Sequence, residues 1–193
     1  MFRLKLPTDP RWVDLASISL EEILTDHAYC EQKAASTCIS LIQNYPEREE
    51  LVEKISPIVT EEWGHFRMVL AELKKRKLKL GRQRKDEYVI QLRKMIRAGD
   101  RVERQLMDKL LVSALIEARS CERFRLLSEN LPQPELRKFY RHFMESEAGH
   151  YTLFMKLSKK YMPAKEVNAR WKEMLDAEKE ILKSLEVSGE KIH

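Results

Sequence analysis

The chain has 193 residues, 36 Lys plus Arg against 31 Asp plus Glu, and a net charge of +5. Its five glycines and seven prolines are about half the usual share of turn-makers, which argues against a many-stranded β fold and for a few long helices. Apolar residues at 43% exclude a disordered chain, while the longest charge-free run, 34–46, has 13 residues, short of the roughly 20 that span a bilayer.

The first periodic segment predicts a helix over 20–44, opened by a capping box of Ser19 and Glu22 and stopped by Pro46. Its apolar stripe runs Leu20, Leu24, His27, Glu31, Ala34/Ala35, Cys38, Ile42 and Tyr45, the threes-and-fours spacing of one helix face. A second helix over 47–76 carries Leu51, Ile55, Ile58/Val59, Glu62, His65/Phe66, Val69 and Leu73, and Pro57 is expected to kink or restart it. A basic connector over 77–85 contains Gly81, and a short helix over 86–97 follows. The third long helix, 100–130, aligns Leu106, Leu110, Ser113/Ala114, Glu117, Cys121, Phe124 and Leu127/Ser128. After the break at Pro132 and Pro134, the fourth, 135–161, aligns Leu136, Phe139/Tyr140, Phe143, Glu147, His150, Phe154, Leu157 and Tyr161. A last amphipathic helix over about 164–186 is expected to pack outside the bundle. The reading is an all-α, single-domain chain over 1–193: a four-helix bundle over about 15–162 with additional peripheral helices.

Two segments repeat each other. Glu62-Trp63-Gly64-His65-Phe66 matches Glu147-Ala148-Gly149-His150-Tyr151 at an offset of 85 residues, and a stripe glutamate stands 31 residues before the first (Glu31) and 30 before the second (Glu117). Helix positions i and i+3 share a face, so Glu62 with His65, and Glu147 with His150, each offer one carboxylate and one imidazole on one face. Two glutamates plus two Glu-x-x-His pairs are the ligand set of di-iron and di-manganese carboxylate bundles. Charge agrees: four buried carboxylates cannot all stay ionised together without cations, and two divalent ions neutralise them. The candidate metal ligands are therefore Glu31, Glu62, His65, Glu117, Glu147 and His150. Glu122 rivals Glu117 but lies about 140° further round the helix.

Mid-helix Gly64 and Gly149 each cost roughly 1 kcal/mol against alanine. Their matched placement suggests a need for space, for close helix approach or for room beside the metals. His27, one turn before Glu31, reads as a hydrogen-bonded core histidine or as a residue supporting that ligand. Tyr29 and Tyr151 read as packing, Cys30, Cys38 and Cys121 as small buried fillers, and Glu61 and Glu145 as solvent-facing. His142 and His193 carry no signal. Three cysteines make neither a disulfide framework nor a CxxC pair, and residues 1–7 lack the apolar core of a secretory signal. The chain reads as reduced and cytoplasmic.

Carboxylate and imidazole donors suit iron or manganese alike. Two iron ions in such a setting meet O2 as co-substrate and support oxygen insertion into a C–H bond. Turnover then needs two electrons from an external donor or reductase, because this sequence carries no flavin, haem or CxxC motif. Lys74, Lys75, Arg76, Lys77, Lys79, Arg82, Arg84 and Lys85 put eight positive charges into twelve residues beside the second metal helix. They read either as a solvated basic face or as a phosphate-binding patch for nucleic acid, continued by Arg93, Lys94, Arg97, Arg101 and Arg104.

The segments Asp26 to Ala35, Glu62 to Phe66, Leu115 to Phe124 and Glu145 to Tyr151 together resemble the MiaE family, the tRNA 2-methylthio-isopentenyladenosine hydroxylases. The resemblance covers roughly 15–160. It implies a ferritin-like bundle with a non-haem di-iron centre and O2-dependent hydroxylation of the isopentenyl group beside the tRNA anticodon. Position by position, it assigns the ligands to Glu31, Glu62, His65, Glu117, Glu147 and His150. Other readings are a ferritin-like ferroxidase, a di-metal peroxidase or catalase, or a basic RNA-binding bundle whose glutamates are structural. Large assemblies mark the first, and metal content that survives loss of Glu62 marks the last.

Overall fold

A computed structural model describes residues 2–14 and 19–188. No strand occurs among them, and no helix is long and apolar enough to cross a membrane. The helices are α1 (Leu20–Asn44), α2 (Glu49–Lys75), α3 (Glu87–Arg93), α4 (Val102–Asn130), α5 (Pro134–Tyr161) and α6 (Ala164–Ser188). The chain divides into two compact units, Leu15–Lys85 and Met1–Asp14 with Asp86–His193.

The unit Leu15–Lys85 is a hairpin of α1 and α2. Its seam follows the anticipated stripe at Leu24, Ala35 and Cys38 on α1 and at Leu51, Ile55, Ile58, Val69 and Leu73 on α2, all buried. Near the end of α1 the buried residue is Leu41, while the expected Ile42 is half-buried. Cys30 is only half-buried, so it is not the buried filler expected. The side-chain cap expected at the start of α1 and a restart of α2 at Pro57 do not occur, for physical reasons. Ser19 is the N-cap residue of α1, yet its side chain makes no cap hydrogen bond. Glu22, the other half of the expected box, accepts from Arg84 (2.6 Å) instead. Pro57 neither ends nor restarts α2, which runs through it. The residue is exposed, so the backbone groups its ring leaves unbonded face water, where their loss is least costly.

Helix α2 ends with Lys77 at φ 60° and hydrogen bonds from Lys77 N to Lys74 O and from Leu78 N to Leu73 O. This is a Schellman-type end whose left-handed position holds lysine where glycine is usual. The connector then crosses α1: Gly81 N donates to Thr25 Oγ1 (3.2 Å), Tyr29 Oη donates to Gly81 O (3.0 Å), and Lys79 N donates to Glu21 (3.0 Å). A Cβ on Gly81 would lie 3.3 Å from the Thr25 methyl, a tight approach that Thr25 would have to relieve by a few tenths of an ångström.

In the second unit α4 and α5 form the corresponding hairpin, and α3 and α6 pack on it. Buried Val167, Trp171, Met174 and Leu175 are the inner face of α6. Helix α4 is buried far beyond its predicted stripe, with Met107, Asp108, Leu111, Leu115, Ala118 and Arg119 also enclosed. Its two extra buried charges are both clamped. Asp108 accepts from Arg97 (2.8 Å) and Arg170 (3.0 Å). Burial pushes the Asp108 carboxyl up, but these bonds outweigh it and hold the group below its usual range. Arg119 donates to Glu178 (2.6 Å) and to the Leu6 carbonyl (2.9 Å). Arg97 therefore belongs to the interior charge balance rather than to a basic surface.

The paired glycines do not serve close approach. A Cβ at Gly64 or Gly149 would meet nothing within 4 Å. Gly64→Ala and Gly149→Ala are therefore each expected to stabilise the protein by roughly 1 kcal/mol, the helix-propensity difference, read as a rise in urea midpoint at unchanged m-value. A fall in midpoint would show that the space is used.

Candidate metal centre

Each hairpin carries one triad. On α1 and α2, Glu31, Glu62 and His65 are 3%, 1% and 3% exposed, and donor atoms of the three lie within 4.8 Å of one another. On α4 and α5, Glu117, Glu147 and His150 are likewise buried, with donor atoms within the same 4.8 Å. Ligands held about 2.0–2.2 Å from one ion sit no more than about 4.4 Å apart, so each triad is close to the span that a single ion bridges. The sequence achieves this with one glutamate per first helix and a Glu-x-x-His per second, all on the seam.

In the first triad His65 Nδ1 lies 3.4 Å from Glu31 and 3.3 Å from Glu62. His27 Nε2 shares a 2.6 Å hydrogen bond with Glu31 Oε1, which fixes the carboxylate from behind. Burial is the strongest influence on each group. It raises the Glu31 carboxyl well above its ordinary range, reinforced by the Glu62 charge and opposed by His65. It lowers His27 to about 3, helped by the His65 charge, so His27 is neutral. Burial also disfavours charge on His65, but its hydrogen bonds to the Glu31 and Glu62 carboxylates outweigh it and raise the imidazole to about 10. The proton on His65 supplies here the positive charge that buried carboxylates demand. A divalent cation meets the same demand with more charge, and the oxygen and nitrogen donor set suits iron or manganese. The donors present thus fit the metal site that the spacing predicts.

In the second triad Ser146 Oγ lies 3.5 Å from His150 Nε2. Glu122, the alternative to Glu117, accepts from Thr8 Oγ1 (2.6 Å) and pairs with Arg119, so its carboxylate is committed elsewhere. Cys121 donates to the Met144 carbonyl at 3.2 Å, and burial pushes its thiol up to about 11. Tyr151 packs between Phe2 and Trp171, with ring centroids 4.4 and 5.9 Å away. Glu61, Glu145 and His142 are exposed, and His193 lies outside the described residues.

Not all of the basic cluster is available to a partner. Arg76 pairs with Glu72 (2.7 Å) and Arg84 with Glu22 (2.6 Å). Lys74, Lys75, Lys77, Lys79, Arg82 and Lys85 are exposed. The Thr25–Gly81–Tyr29 pin that fixes the connector's course escaped sequence reasoning. Its only signal was a lone glycine in a lysine-rich stretch.

Three comparisons bear on this arrangement. The family model described as tRNA-(MS2IO6A)-hydroxylase (MiaE) matches residues 2–193. A tRNA 2-(methylsulfanyl)-N(6)-isopentenyladenosine(37) hydroxylase of Pseudomonas putida is 40% identical over 158 residues, which is 82% of this chain and 76% of that protein. A protein of the same name from Salmonella typhimurium is 26% identical over 230 residues, covering 94% of this chain and 84% of its own. Among solved structures, a Synechococcus protein titled Protein 43 with aldehyde deformylating oxygenase activity superposes with a TM-score of 0.88 at 37% identity, over 93% of this chain and 88% of its own. This likeness sets the chain in the ferritin-like four-helix bundle class.

Proposed function

The chain belongs to the MiaE family of tRNA hydroxylases, and we propose that it hydroxylates the isopentenyl group of 2-methylthio-isopentenyladenosine beside the anticodon of tRNA, using two iron ions, O2 and electrons from an external donor. The observation that carries this reading is the pair of buried triads, each two carboxylates and an imidazole, in a chain of this family. Glu31, Glu62, His65, Glu117, Glu147 and His150 hold the iron. Bound iron supplies the two-electron chemistry by which O2 places one oxygen atom in a C–H bond and leaves the other as water. The two electrons come from outside the chain, which places the reaction where a reductase and tRNA meet, in the cytoplasm.

The protein's own part is positional. His27 holds Glu31 in one orientation through the 2.6 Å bond, and neighbours of this kind tune metal sites. Burial of all six groups keeps bulk water from the reacting atoms. The connector, pinned at Gly81, presents exposed lysines to RNA phosphates. Changing Lys74, Lys75 and Lys77 to Glu is expected to weaken tRNA binding strongly at low salt and less at high salt. Filter binding across a salt series measures it, and unchanged affinity removes this lysine cluster from the site.

Mass spectrometry of tRNA nucleosides tests the function itself. The protein is expressed in a bacterium that makes methylthio-isopentenyladenosine but does not hydroxylate it. A nucleoside heavier by one oxygen is expected, and none from iron-loaded protein refutes the reading. The likeness to the Synechococcus protein favours one second reading, oxygen chemistry on an aldehyde. An aldehyde assay of the same preparation separates the two, and the exposed lysines favour RNA.

A further inference from the structure

The two halves of the internal repeat differ on a face that the metal chemistry does not use, at Trp63 against Ala148, Phe66 against Tyr151 and Arg67 against Thr152. In the α5 copy the position after the glutamate is Ala148, and the aromatic after the histidine, Tyr151, is covered by Phe2 and Trp171. In the α2 copy the same positions are Trp63 and Phe66. Trp63 is 48% exposed, and its ring lies against Phe66 at 4.9 Å with planes 34° apart. A tryptophan left half in water beside a buried ligand calls for an explanation, because the α5 copy makes the same triad without one.

The rest of that face shows what it suits. At about 100° per residue, Trp63, Phe66, Arg67, Leu70 and Lys74 fall within an arc of about 100° on α2. Arg67 and Lys74 are exposed. Arg67 has no counterpart in the α5 copy, where Thr152 stands. The face therefore joins an adjacent, mutually tilted aromatic pair to cations one and three turns further along, and it leads from the first triad to the lysine connector. Aromatic platforms with flanking cations hold unpaired bases by stacking and their phosphates by charge. A second protein copy would not require the cations, and two such positive faces would repel each other.

We propose that Trp63 and Phe66 form a stacking platform for an unpaired base of the tRNA anticodon loop, next to the base presented for hydroxylation, with Arg67 and Lys74 taking the adjoining phosphates. This rests on the tRNA reading above. The base stacks by its face, so the contact reads single-strandedness rather than sequence.

The test uses the full-length, iron-loaded protein and a labelled anticodon stem-loop RNA. Trp63→Ala is expected to weaken binding roughly tenfold, the scale of one lost base stack, and Trp63→Phe to restore most of it. Iron content and sedimentation should stay unchanged in both variants. RNA should quench tryptophan emission in the unmodified protein and much less in Trp63→Phe, which keeps Trp12 and Trp171. Lys74→Glu should lower the salt dependence of binding by about one ion, whereas Trp63→Ala should leave that slope alone. Equal affinity of Trp63→Ala and the unmodified protein overturns the platform while leaving the hydroxylase reading intact. A dimer that dissociates in Trp63→Ala at constant RNA affinity also overturns it and assigns the face to self-association. Failure of the unmodified protein to bind RNA or to hydroxylate tRNA removes both readings together.

Discussion

Glu62→Ala, loaded anaerobically with Fe(II), is expected to hold no more than one iron per chain where the unmodified protein holds about two, and its hydroxylation of tRNA should fall by more than about 100-fold. Changes to groups that merely support metal ligands already cost about 10- to 100-fold in affinity or activity, and Glu62 is itself a proposed ligand. The carboxylate is 1% exposed and stands 3.3 Å from His65, so alanine also removes a bond that orients the imidazole. Elemental analysis and nucleoside mass spectrometry read the two effects. Thermal unfolding supplies a control for folding. A ligand that binds only the native state stabilises it by mass action, so Fe(II) should raise the Tm of the unmodified protein and should raise that of Glu62→Ala much less. If Glu62 were a purely structural group, alanine would lower the Tm of the metal-free protein and leave iron content at two.

The six candidate ligands were legible in the sequence because metal chemistry writes itself into spacing. An ion held between helices needs donors at i and i+3 on the buried face, so Glu62 and His65 stand out as polar residues on an apolar stripe. The repeat at 85 residues makes the same statement twice. The helix bounds were legible for a similar reason, since Pro46, Pro132 and Pro163 punctuate long periodic runs. What stayed hidden depends on partners distant in the chain. Asp108 and Arg119 lie off the predicted stripe of α4 and look like solvent-facing charges until α3, α6 and residues 5–8 cover it. The Ser19–Glu22 box failed on the same account, because Arg84, 62 residues on, takes Glu22. Pro57 shows the converse: a local rule was overridden because exposure left its broken hydrogen bond to water. Exposure of Trp63 could not be read from periodicity either, since an aromatic beside a stripe is as easily buried as not.

Arg119→Met is expected to cost about 3–5 kcal/mol in unfolding free energy, the usual penalty for stranding one member of a buried ion pair. Arg119 is 1% exposed and Glu178 is 0% exposed, and Arg119 holds the carboxylate through Nε at 3.0 Å and Nη2 at 2.6 Å. The same guanidinium ties down the N-terminal stretch through the Leu6 carbonyl and Thr8 Oγ1 (3.1 Å). Tyr88 of α3 joins from the other side, donating to Glu178 at 3.1 Å. One arginine thus links α3, α4, α6 and residues 6–8, and its loss leaves the buried Glu178 carboxylate with the Tyr88 hydroxyl and takes a partner from Glu122 as well. Glu178→Leu alone should also destabilise, but less, because Arg119 loses its most buried partner yet keeps Glu122, Thr8 and the Leu6 carbonyl. The double variant Arg119→Met/Glu178→Leu should recover much of the loss, since well-packed apolar replacements of a buried pair are often near neutral. Urea unfolding of the four proteins gives the coupling energy directly. Additive effects would mean that the pair acts through its separate neighbours. Glu117 sits two residues before Arg119, yet its donor group belongs to the seam with α5. The folded double variant should therefore still bind about two iron ions, so a loss of iron there would show that the clamp also sets the position of Glu117.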